Sequence, residues 1–217
     1  MDQKIVIDRT VEFVKSQLTN AEGGHDWWHI YRVWKTSNTI AKNEDCNILV
    51  VNLAALLHDI ADPKFHKGDE DLGPQRAENH LRTLEVEPVT IMHVIEIIRN
   101  MSFKNTFDKV SHESIEMDIV RDADRLDAIG AIGVARTFNY GGYKGSEIYN
   151  PDIAPLEYKS KDEYKNSNST TINHFYEKLL KLKDLMQTET GKMLAIQRHT
   201  FMEQYLQQFY DEWNGIK

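Results

Sequence analysis

The stretch that decides the fold is residues 48–59, ILVVNLAALLHD, an apolar run that ends in a histidine and an aspartate. Asn52 is its single polar interruption before that pair, which predicts a helix buried in the core. A buried imidazole and a buried carboxylate are each costly unless they are paired, hydrogen-bonded or bound to a cation. A divalent metal ion is one partner that satisfies both His58 and Asp59. Because adjacent helical residues point about 100° apart, further ligands must come from elsewhere in the chain.

Length and composition indicate one soluble globular domain. The chain has 217 residues, 41% of them hydrophobic, which is enough for one well-buried core and predicts a single domain over residues 1–217. No apolar stretch approaches the ~20 residues that span a bilayer, and the N-terminal segment is amphipathic rather than a signal peptide. We therefore expect a cytoplasmic protein with no membrane partner.

Charge and cysteine content exclude two kinds of site. The net charge of −8 argues against long nucleic acid as a partner, because that binding depends on many contacts from lysine and arginine to phosphate. The single cysteine, Cys46, rules out an internal disulfide and a zinc site built from cysteines. Any metal must therefore be held by histidine nitrogen and carboxylate oxygen.

Apolar residues recur at helical spacing along nearly the whole chain, with no strand pair joined by a hairpin turn, and this pattern predicts an all-α fold. We expect helices at about residues 2–19, 25–43, 47–61, 74–86, 89–101, 113–138, 171–187 and 190–213. The irregular segment at 139–170 is either a functional lid or a mobile excursion. The apolar stripes of the C-terminal helices, within residues 171–217, indicate core packing, with a homodimer interface as the alternative.

Two histidines lie upstream of the buried run, in the segment GHDWWHIYRV. His25, His29 and Arg32 are spaced i, i+4 and i+7, so they share one face of a helix. Either histidine alone is readily explained as a residue at the start of a helix that makes an ordinary hydrogen bond. Because the chain also contains the histidine–aspartate pair, one of these two histidines is a candidate ligand for the same ion.

A third candidate segment is residues 119–133, IVRDADRLDAIGAIG, which is typical of a tightly packed helix. Glycine inside a helix costs ~1 kcal/mol relative to alanine, so Gly130 and Gly133 indicate close approach by another backbone. The segment offers three candidate acidic ligands: Asp122, Asp124 and Asp127. Each is alternatively a solvated acid or an ion-pair partner of Arg121 or Arg125, and spacing alone does not choose among the three.

The pattern H…HD…D, formed by His29, His58–Asp59 and Asp124, resembles the HD-domain metal-dependent phosphohydrolases. Three strings between residues 25 and 138 sharpen the resemblance: HDWWHIYRV, ALLHDIADPKFH and RDADRLDAIGAIGVARTF. They are similar to a bacterial subgroup of the YpgQ/YedJ type, which is associated with hydrolysis of nucleoside triphosphates to the monophosphate and pyrophosphate.

The resemblance implies a single-domain HD-type helical bundle with its metal-site core at residues 25–138. It also implies that one divalent ion is bound by four side chains: His29, His58, Asp59 and Asp124. The chain has no His-His dipeptide, which the binuclear branch of the family would require. Two imidazoles and two carboxylates suit a six-coordinate Mn²⁺, with Mg²⁺, Ni²⁺, Zn²⁺, Co²⁺ and Fe²⁺ as alternatives. Three other histidines are less favoured as extra ligands than as ordinary helix residues: His80, His93 and His112.

The resemblance also suggests roles for residues around the ion. Asp62 follows Asp59 by three residues, an offset at which many HD enzymes carry a carboxylate that orients or deprotonates water. The alternative for Asp62 is an acid at the end of a helix with no chemical task. An acidic protein needs local cations to hold a polyphosphate, and the candidates are Lys64, Lys67 and Arg125, each alternatively a surface charge.

The function implied by the resemblance is hydrolysis of (d)NTP to (d)NMP and pyrophosphate. The alternatives are hydrolysis of another phosphate ester, such as a nucleoside monophosphate or the guanosine alarmone, and a non-catalytic protein that senses nucleotides. In each case the expected partner is a small-molecule nucleotide. Four aromatic residues near the first ligand are candidates to stack on its base, although core packing is favoured for most: Trp27, Trp28, Tyr31 and Trp34. Three tyrosines could close over the base if residues 139–170 form a lid: Tyr140, Tyr143 and Tyr149.

Overall fold

The computed structural model describes residues 2–18, 26–61, 69, 71–101, 112–157 and 169–217. The chain forms two compact units, Met1–Asp124 and Arg125–Lys217, each with its own helices. The expectation of a single domain over the whole chain stays a prediction.

The first unit contains α1 (Gln3–Gln17), α2 (Trp27–Ala41), α3 (Ile48–Leu57), α4 (Leu72–Thr83), α5 (Pro88–Asn100) and most of α6 (Ile115–Asp127). The second contains α7 (Gly130–Lys144), α8 (Asn173–Glu177), a 3₁₀ helix (Leu179–Leu185) and α9 (Glu189–Trp213). No strand occurs among the described residues, and the predicted all-α fold is confirmed. In that same part of the chain, no helix combines the length and the apolar character needed to cross a bilayer.

The apolar run quoted above forms α3, the central helix of the first unit. All its side chains from Val50 to Leu57 are buried, and it packs against α1, α2 and α5. Burying a Val or Leu side chain contributes about 1.5–3 kcal/mol, so α3 supplies much of the hydrophobic stabilisation of this unit. Asn47 caps the helix, because its side-chain oxygen accepts hydrogen bonds from the N–H groups of Leu49 and Val50 at 3.1 and 3.3 Å.

Asn52, the polar residue inside α3, fixes the position of α2 along α3. Its side-chain oxygen accepts hydrogen bonds from the indole N–H of Trp34 and, at 3.0 Å, from the side-chain amide of Asn38. Its own amide nitrogen donates to the carbonyl of Ile48 at 2.6 Å. The buried amide is therefore satisfied on both sides. Sliding α2 along α3 would break two of these hydrogen bonds.

Contacts at the ends of the helices set their directions. Beyond the end of α3, the ring of His58 meets that of His29 in the first turn of α2, with centroids 5.4 Å apart, so α2 and α3 run antiparallel. Glu116 at the start of α6 accepts a hydrogen bond of 2.8 Å from the N–H of Asn47 at the start of α3. Further along α6, Asp124 lies 3.9 Å from His58, so α6 runs parallel to α3. The start of α2 and the end of α3 therefore converge beside Asp124.

The predicted continuous helix at 113–138 is wrong, because α6 ends at Asp127 and α7 begins at Gly130. Gly130 has a φ of +75°, a left-handed conformation that residues with a Cβ rarely adopt. A Cβ there would lie 2.9 Å from the side chain of Arg198, and a Cβ on Gly133 would lie 2.3 Å from the carbonyl oxygen of Ala128. The predicted close approach by another backbone is wrong, because the neighbour of Gly130 is the side chain of Arg198 and the neighbour of Gly133 is the chain's own backbone at Ala128. The two glycines instead permit the turn between α6 and α7.

The segment predicted to be irregular at 139–170 begins later than expected, because α7 continues to Lys144. Gly145, with a φ of +67°, ends the helix. Residues 145–157 are then attached to the start of α8 by backbone hydrogen bonds of 2.9 and 3.0 Å, from the N–H groups of Thr171 and Ile172. Residues 158–168 lie outside the described residues, and the lid hypothesis stays a prediction.

Tyr149 is a packing residue of the second unit. Its ring contacts three aromatic side chains of α9, with centroids 5.9, 5.4 and 5.0 Å away: Phe209, Tyr210 and Trp213. A ring held on three sides is poorly placed to close over a base. Tyr140 and Tyr143 are exposed near the end of α7, with centroids 6.4 Å apart.

The predicted helix at 171–187 is divided into α8 and a 3₁₀ helix. The division occurs at Lys178, whose φ of −138° departs from helical values. Leu179 and Leu182 are both buried, and their spacing of three residues matches one turn of a 3₁₀ helix. The predicted final helix at 190–213 corresponds to α9.

Replacing Asn52 with alanine should lower the free energy of unfolding by about 1–3 kcal/mol, because the indole of Trp34 and the amide of Asn38 lose their acceptor. Urea denaturation followed by circular dichroism measures this change. The matched control is Asn79→Ala on the exposed face of α4, which should change the value by less than about 0.5 kcal/mol. Equal stability of the two variants would contradict the role given to Asn52.

Candidate metal centre

His29 belongs to the first turn of α2. Asp26 caps this helix, and its side-chain oxygen accepts a hydrogen bond of 2.9 Å from the backbone N–H of His29. The cap fixes where the helix begins and therefore where the imidazole lies. His29 is buried, and its Nε2 is 3.5 Å from Oδ1 of Asp124.

His58 is oriented by the backbone of α3. Its Nδ1 lies 2.9 Å from the carbonyl oxygen of Ala55, and because a carbonyl only accepts, Nδ1 carries the proton. The lone pair of the neutral ring is then on Nε2. This Nε2 is buried and has no hydrogen-bond partner in the described part of the chain. An imidazole with one nitrogen bonded to a carbonyl and the other unsatisfied is the usual arrangement of a metal-binding histidine.

The donor atoms lie at separations that fit one ion. One atom from each of His29, His58 and Asp59 lies within 4.8 Å of the others. Asp124 adds Oδ1, which is 3.5 Å from Nε2 of His29 and 3.9 Å from Nε2 of His58. Ligands bound about 2.0–2.2 Å from a common ion lie roughly 3 Å apart when adjacent and about 4.4 Å apart when opposite. Three of the side chains therefore lie close enough together to share a divalent ion, and Asp124 lies beside both histidines.

The charges of this group also favour a cation. Two carboxylates approach two buried imidazoles, and a positive ion between the carboxylates would offset their mutual repulsion. The side chain of Asp124 is 43% exposed, whereas that of His58 is 7% exposed. The group is therefore buried on the histidine side and open on the side of Asp124, where a ligand can approach.

Asp124 is distinguished from the two neighbouring aspartates by its surroundings. Asp122 and Asp127 are buried. Asp127 accepts a hydrogen bond from Arg136, which is the ion-pair alternative considered for it, although with a different arginine. Asp124 is the partly exposed member of the three and lies beside both histidines. Sequence spacing does not reveal this difference, because it depends on contacts across the fold.

The structure does not test the roles of the remaining predicted site residues. His25, Asp62, Lys64 and Lys67 fall outside the described residues. Arg125 belongs to the second unit, where its guanidinium donates to the carbonyl of Leu185. The roles assigned to these residues stay predictions.

His80 has a packing role. Its ring stacks on Phe13, with centroids 4.0 Å apart, and its Nε2 is 3.1 Å from the hydroxyl of Thr10. Burial lowers the pKa of His80. These contacts join α4 to α1.

His93 and His112 lie at the other end of α3. Their ring centroids are 5.3 Å apart, and Nε2 of His93 is 3.5 Å from a carboxylate oxygen of Glu116. Because Glu116 is bonded to Asn47 at the start of α3, this group is about one helix length, ~15 Å, from His58. Neither histidine joins the candidate metal centre.

Two residues that support the centre are absent from the predicted site. The carbonyl of Ala55 sets the tautomer of His58, and the side chain of Asp26 caps the helix that carries His29. Asp26 has a recognisable sequence signal, because an aspartate directly before the first residue of a helix is a common N-cap. The carbonyl of Ala55 has none, because a backbone group is the same in every residue.

Comparison with known proteins supports this reading of the residues. A model of the HD domain family matches residues 27–129. The chain is similar to YpgQ of Bacillus subtilis, with 37% identity over 206 residues, 94% of this chain and 92% of that protein. The matched family range contains all four candidate ligands: His29, His58, Asp59 and Asp124.

Solved structures extend the similarity to the whole fold. An HD-superfamily hydrolase from Bacillus thuringiensis is 43% identical, with a TM-score of 0.80 and 98% of each chain covered. The crystal structure of Bacillus subtilis YpgQ in complex with ADP is 35% identical, with a TM-score of 0.78, covering 98% of this chain and 97% of that chain.

Replacing His58 with alanine should weaken Mn²⁺ binding at least about tenfold, because it removes the buried nitrogen that has no hydrogen-bond partner. Isothermal titration of chelator-treated protein measures this affinity. Asp124→Asn should have a similar effect with less disturbance of the core, since this side chain is partly exposed. The control is His93→Ala at the other end of α3, which should bind Mn²⁺ as the unaltered protein does. Unchanged affinity in both His58→Ala and Asp124→Asn would contradict the assignment of the centre.

Proposed function

This chain belongs to the HD-domain family as an HD-superfamily hydrolase of the YpgQ type, and from that premise we propose that it is a metal-dependent nucleotide phosphohydrolase. The reaction proposed is hydrolysis of (d)NTP to (d)NMP and pyrophosphate, with Mn²⁺ as the preferred ion. The observation that carries the proposal is the meeting of two imidazoles and two carboxylates around the unsatisfied Nε2 of His58.

In this proposal the ion is held by the four side chains of the candidate metal centre, defined by His29, His58, Asp59 and Asp124. A divalent ion supplies Lewis-acid chemistry, which polarises a phosphoryl oxygen and makes water a better nucleophile at neutral pH. The protein fixes the ligands in advance, because one histidine is set by a helix cap and the other by a backbone carbonyl. The open side beside Asp124 is where the phosphate chain would enter.

We assign proton handling to Asp62. Its carboxylate follows Asp59 by three residues in the sequence, the offset at which many HD enzymes carry a carboxylate beside the ion. There it would orient the attacking water and accept its proton.

The phosphate chain would be held by Lys64, Lys67 and Arg125. A protein with a net charge of −8 repels a triphosphate unless cations are concentrated at the site. Arg125 already donates to the carbonyl of Leu185, and a guanidinium has five N–H donors in all. Each lysine follows the HD pair by fewer than ten residues.

A nucleotide is the favoured substrate because the similar YpgQ chain has been crystallised with ADP. An ADP complex is compatible with a nucleoside triphosphate, with another nucleotide ester and with a sensor that binds without turnover. These alternatives differ in their products. The triphosphate reaction releases pyrophosphate and a nucleoside monophosphate, and hydrolysis of a nucleoside monophosphate releases phosphate. Removal of the alarmone's 3′-diphosphate releases pyrophosphate but leaves a guanosine di- or triphosphate, and a sensor releases no product.

One experiment tests the proposed function. Metal-free protein is supplied separately with Mn²⁺, Mg²⁺, Ni²⁺ and Zn²⁺ and offered a panel of nucleotides, with phosphate and pyrophosphate detected independently. We expect pyrophosphate and nucleoside monophosphate in equal amounts, with the highest rate in Mn²⁺. Asp59→Ala, which removes a proposed ligand, controls for contaminating activity. Release of phosphate without pyrophosphate would contradict the proposed reaction and favour hydrolysis of another phosphate ester. If no product formed with any ion, the remaining alternative would be a protein that senses nucleotides without turnover.

Replacing Asp62 with asparagine should lower kcat about a hundredfold or more, while bound metal stays at the level of the unaltered protein. The reason is that an amide cannot accept a proton from water. Steady-state kinetics together with metal analysis of the purified variant measure the two quantities. Asp71→Asn, an exposed acid in the same region, is the matched control and should keep its kcat. Full activity of Asp62→Asn would remove this assignment.

A further inference from the structure

We propose that the indole of Trp28 is the platform on which the base of the bound nucleotide stacks. This inference rests on the proposed function, because it names the residue that would recognise the nucleoside part of that substrate. It follows from which aromatic side chains near the candidate metal centre are already occupied and which are open.

Two of the four aromatic residues near His29 already make other contacts through their rings. The indole N–H of Trp34 donates to Asn52 in the core. Trp27 is half-buried, and the ammonium group of Lys15 lies over its ring, 4.8 Å from the centroid. A base stacking on that face of Trp27 would have to displace a cation–π contact.

Trp28 is open. It is 61% exposed, and among the described residues of the first unit the exposed large aromatic side chains are Trp28 and Tyr31. Tryptophan is enriched at binding interfaces, because it offers a large apolar ring together with a polar N–H group. Tyr31 meets Trp28 at 80°, with centroids 5.9 Å apart. This contact packs the indole against Tyr31, and the exposed part of Trp28 is the surface that a base would use.

Trp28 lies beside the candidate metal centre, in the first turn of α2. Trp28 immediately precedes His29, so their Cα atoms are about 3.8 Å apart. His29 lies on the buried side of α2 and Trp28 points about 100° away from it toward the surface, while Arg32, at i+3 from His29 and i+4 from Trp28, lies between the two directions. Phosphates at the centre and a base on Trp28 would therefore lie on adjoining sides of the first turn of α2, with Arg32 between them.

Stacking predicts a particular pattern of specificity. Every base has a π face, so a stacked base contributes affinity with little discrimination among bases. A phosphate compound without a base gains nothing from the indole. The contribution of Trp28 should therefore appear with ADP and be absent with inorganic pyrophosphate.

The test compares the dissociation constants of ADP and pyrophosphate, measured by isothermal titration of the full chain with Mn²⁺ present. Trp28→Ala should raise the constant for ADP about tenfold or more, the range typical of one stacked base. Trp28→Phe, which retains a ring, should remain within about threefold. Neither variant should change the constant for pyrophosphate. The matched control is Trp213→Ala, a tryptophan 51% exposed in the second unit, with ADP affinity unchanged.

Two results would overturn the inference alone. One is an unchanged ADP affinity in Trp28→Ala when the unaltered protein binds ADP. The other is an equal loss of ADP and pyrophosphate affinity, which would show that Trp28 supports the centre rather than the base. Failure of the unaltered protein to bind any nucleotide would be different, because the proposed function would fail together with the inference.

Discussion

Nε2 of His58 is a buried polar atom with no hydrogen-bond partner in the described part of the chain, and the account of this protein depends on what satisfies it. Leaving such an atom unsatisfied costs about 1–3 kcal/mol. The cost cannot be avoided by rotating the ring, because Nδ1 is held by the carbonyl of Ala55. A cation shared with His29, Asp59 and Asp124 would offset the cost, since each of these side chains offers an electron pair nearby.

The helices are arranged to keep that group together. A hydrogen bond to the side chain of Asn52 holds α2 in place along α3. A hydrogen bond to the carboxylate of Glu116 holds the start of α6 beside the start of α3. Both of these hydrogen-bonded positions lie at a distance from the histidines along the helix axes. A small sliding motion of α2 or α6 along α3 would break them and separate the candidate ligands. Metal binding and folding of the first unit should then stabilise each other, because the ion binds the assembled group and not the unfolded chain.

The sequence predicted the fold well wherever a helix is defined by its own apolar pattern, as in α3 and α9. The predicted helix boundaries were wrong where the backbone departs from helical values inside a periodic apolar pattern. The left-handed Gly130 interrupts the helix predicted at 113–138, and Lys178 divides the helix predicted at 171–187. The H…HD…D residues were found by resemblance, and the structure brings them together. Spacing could not separate Asp124 from its neighbours, because the difference is which side chain faces the histidines. The hydrogen bond from His58 to the carbonyl of Ala55 could not be predicted from the sequence, because every residue has a backbone carbonyl.

The most direct test of the central claim is an anomalous difference map from crystals soaked in Mn²⁺. The account predicts one strong peak with Nε2 of His29, Nε2 of His58 and carboxylate oxygens of Asp59 and Asp124 about 2.0–2.3 Å away. A map with no peak there, or with its strongest peak between His93 and Glu116, would contradict it.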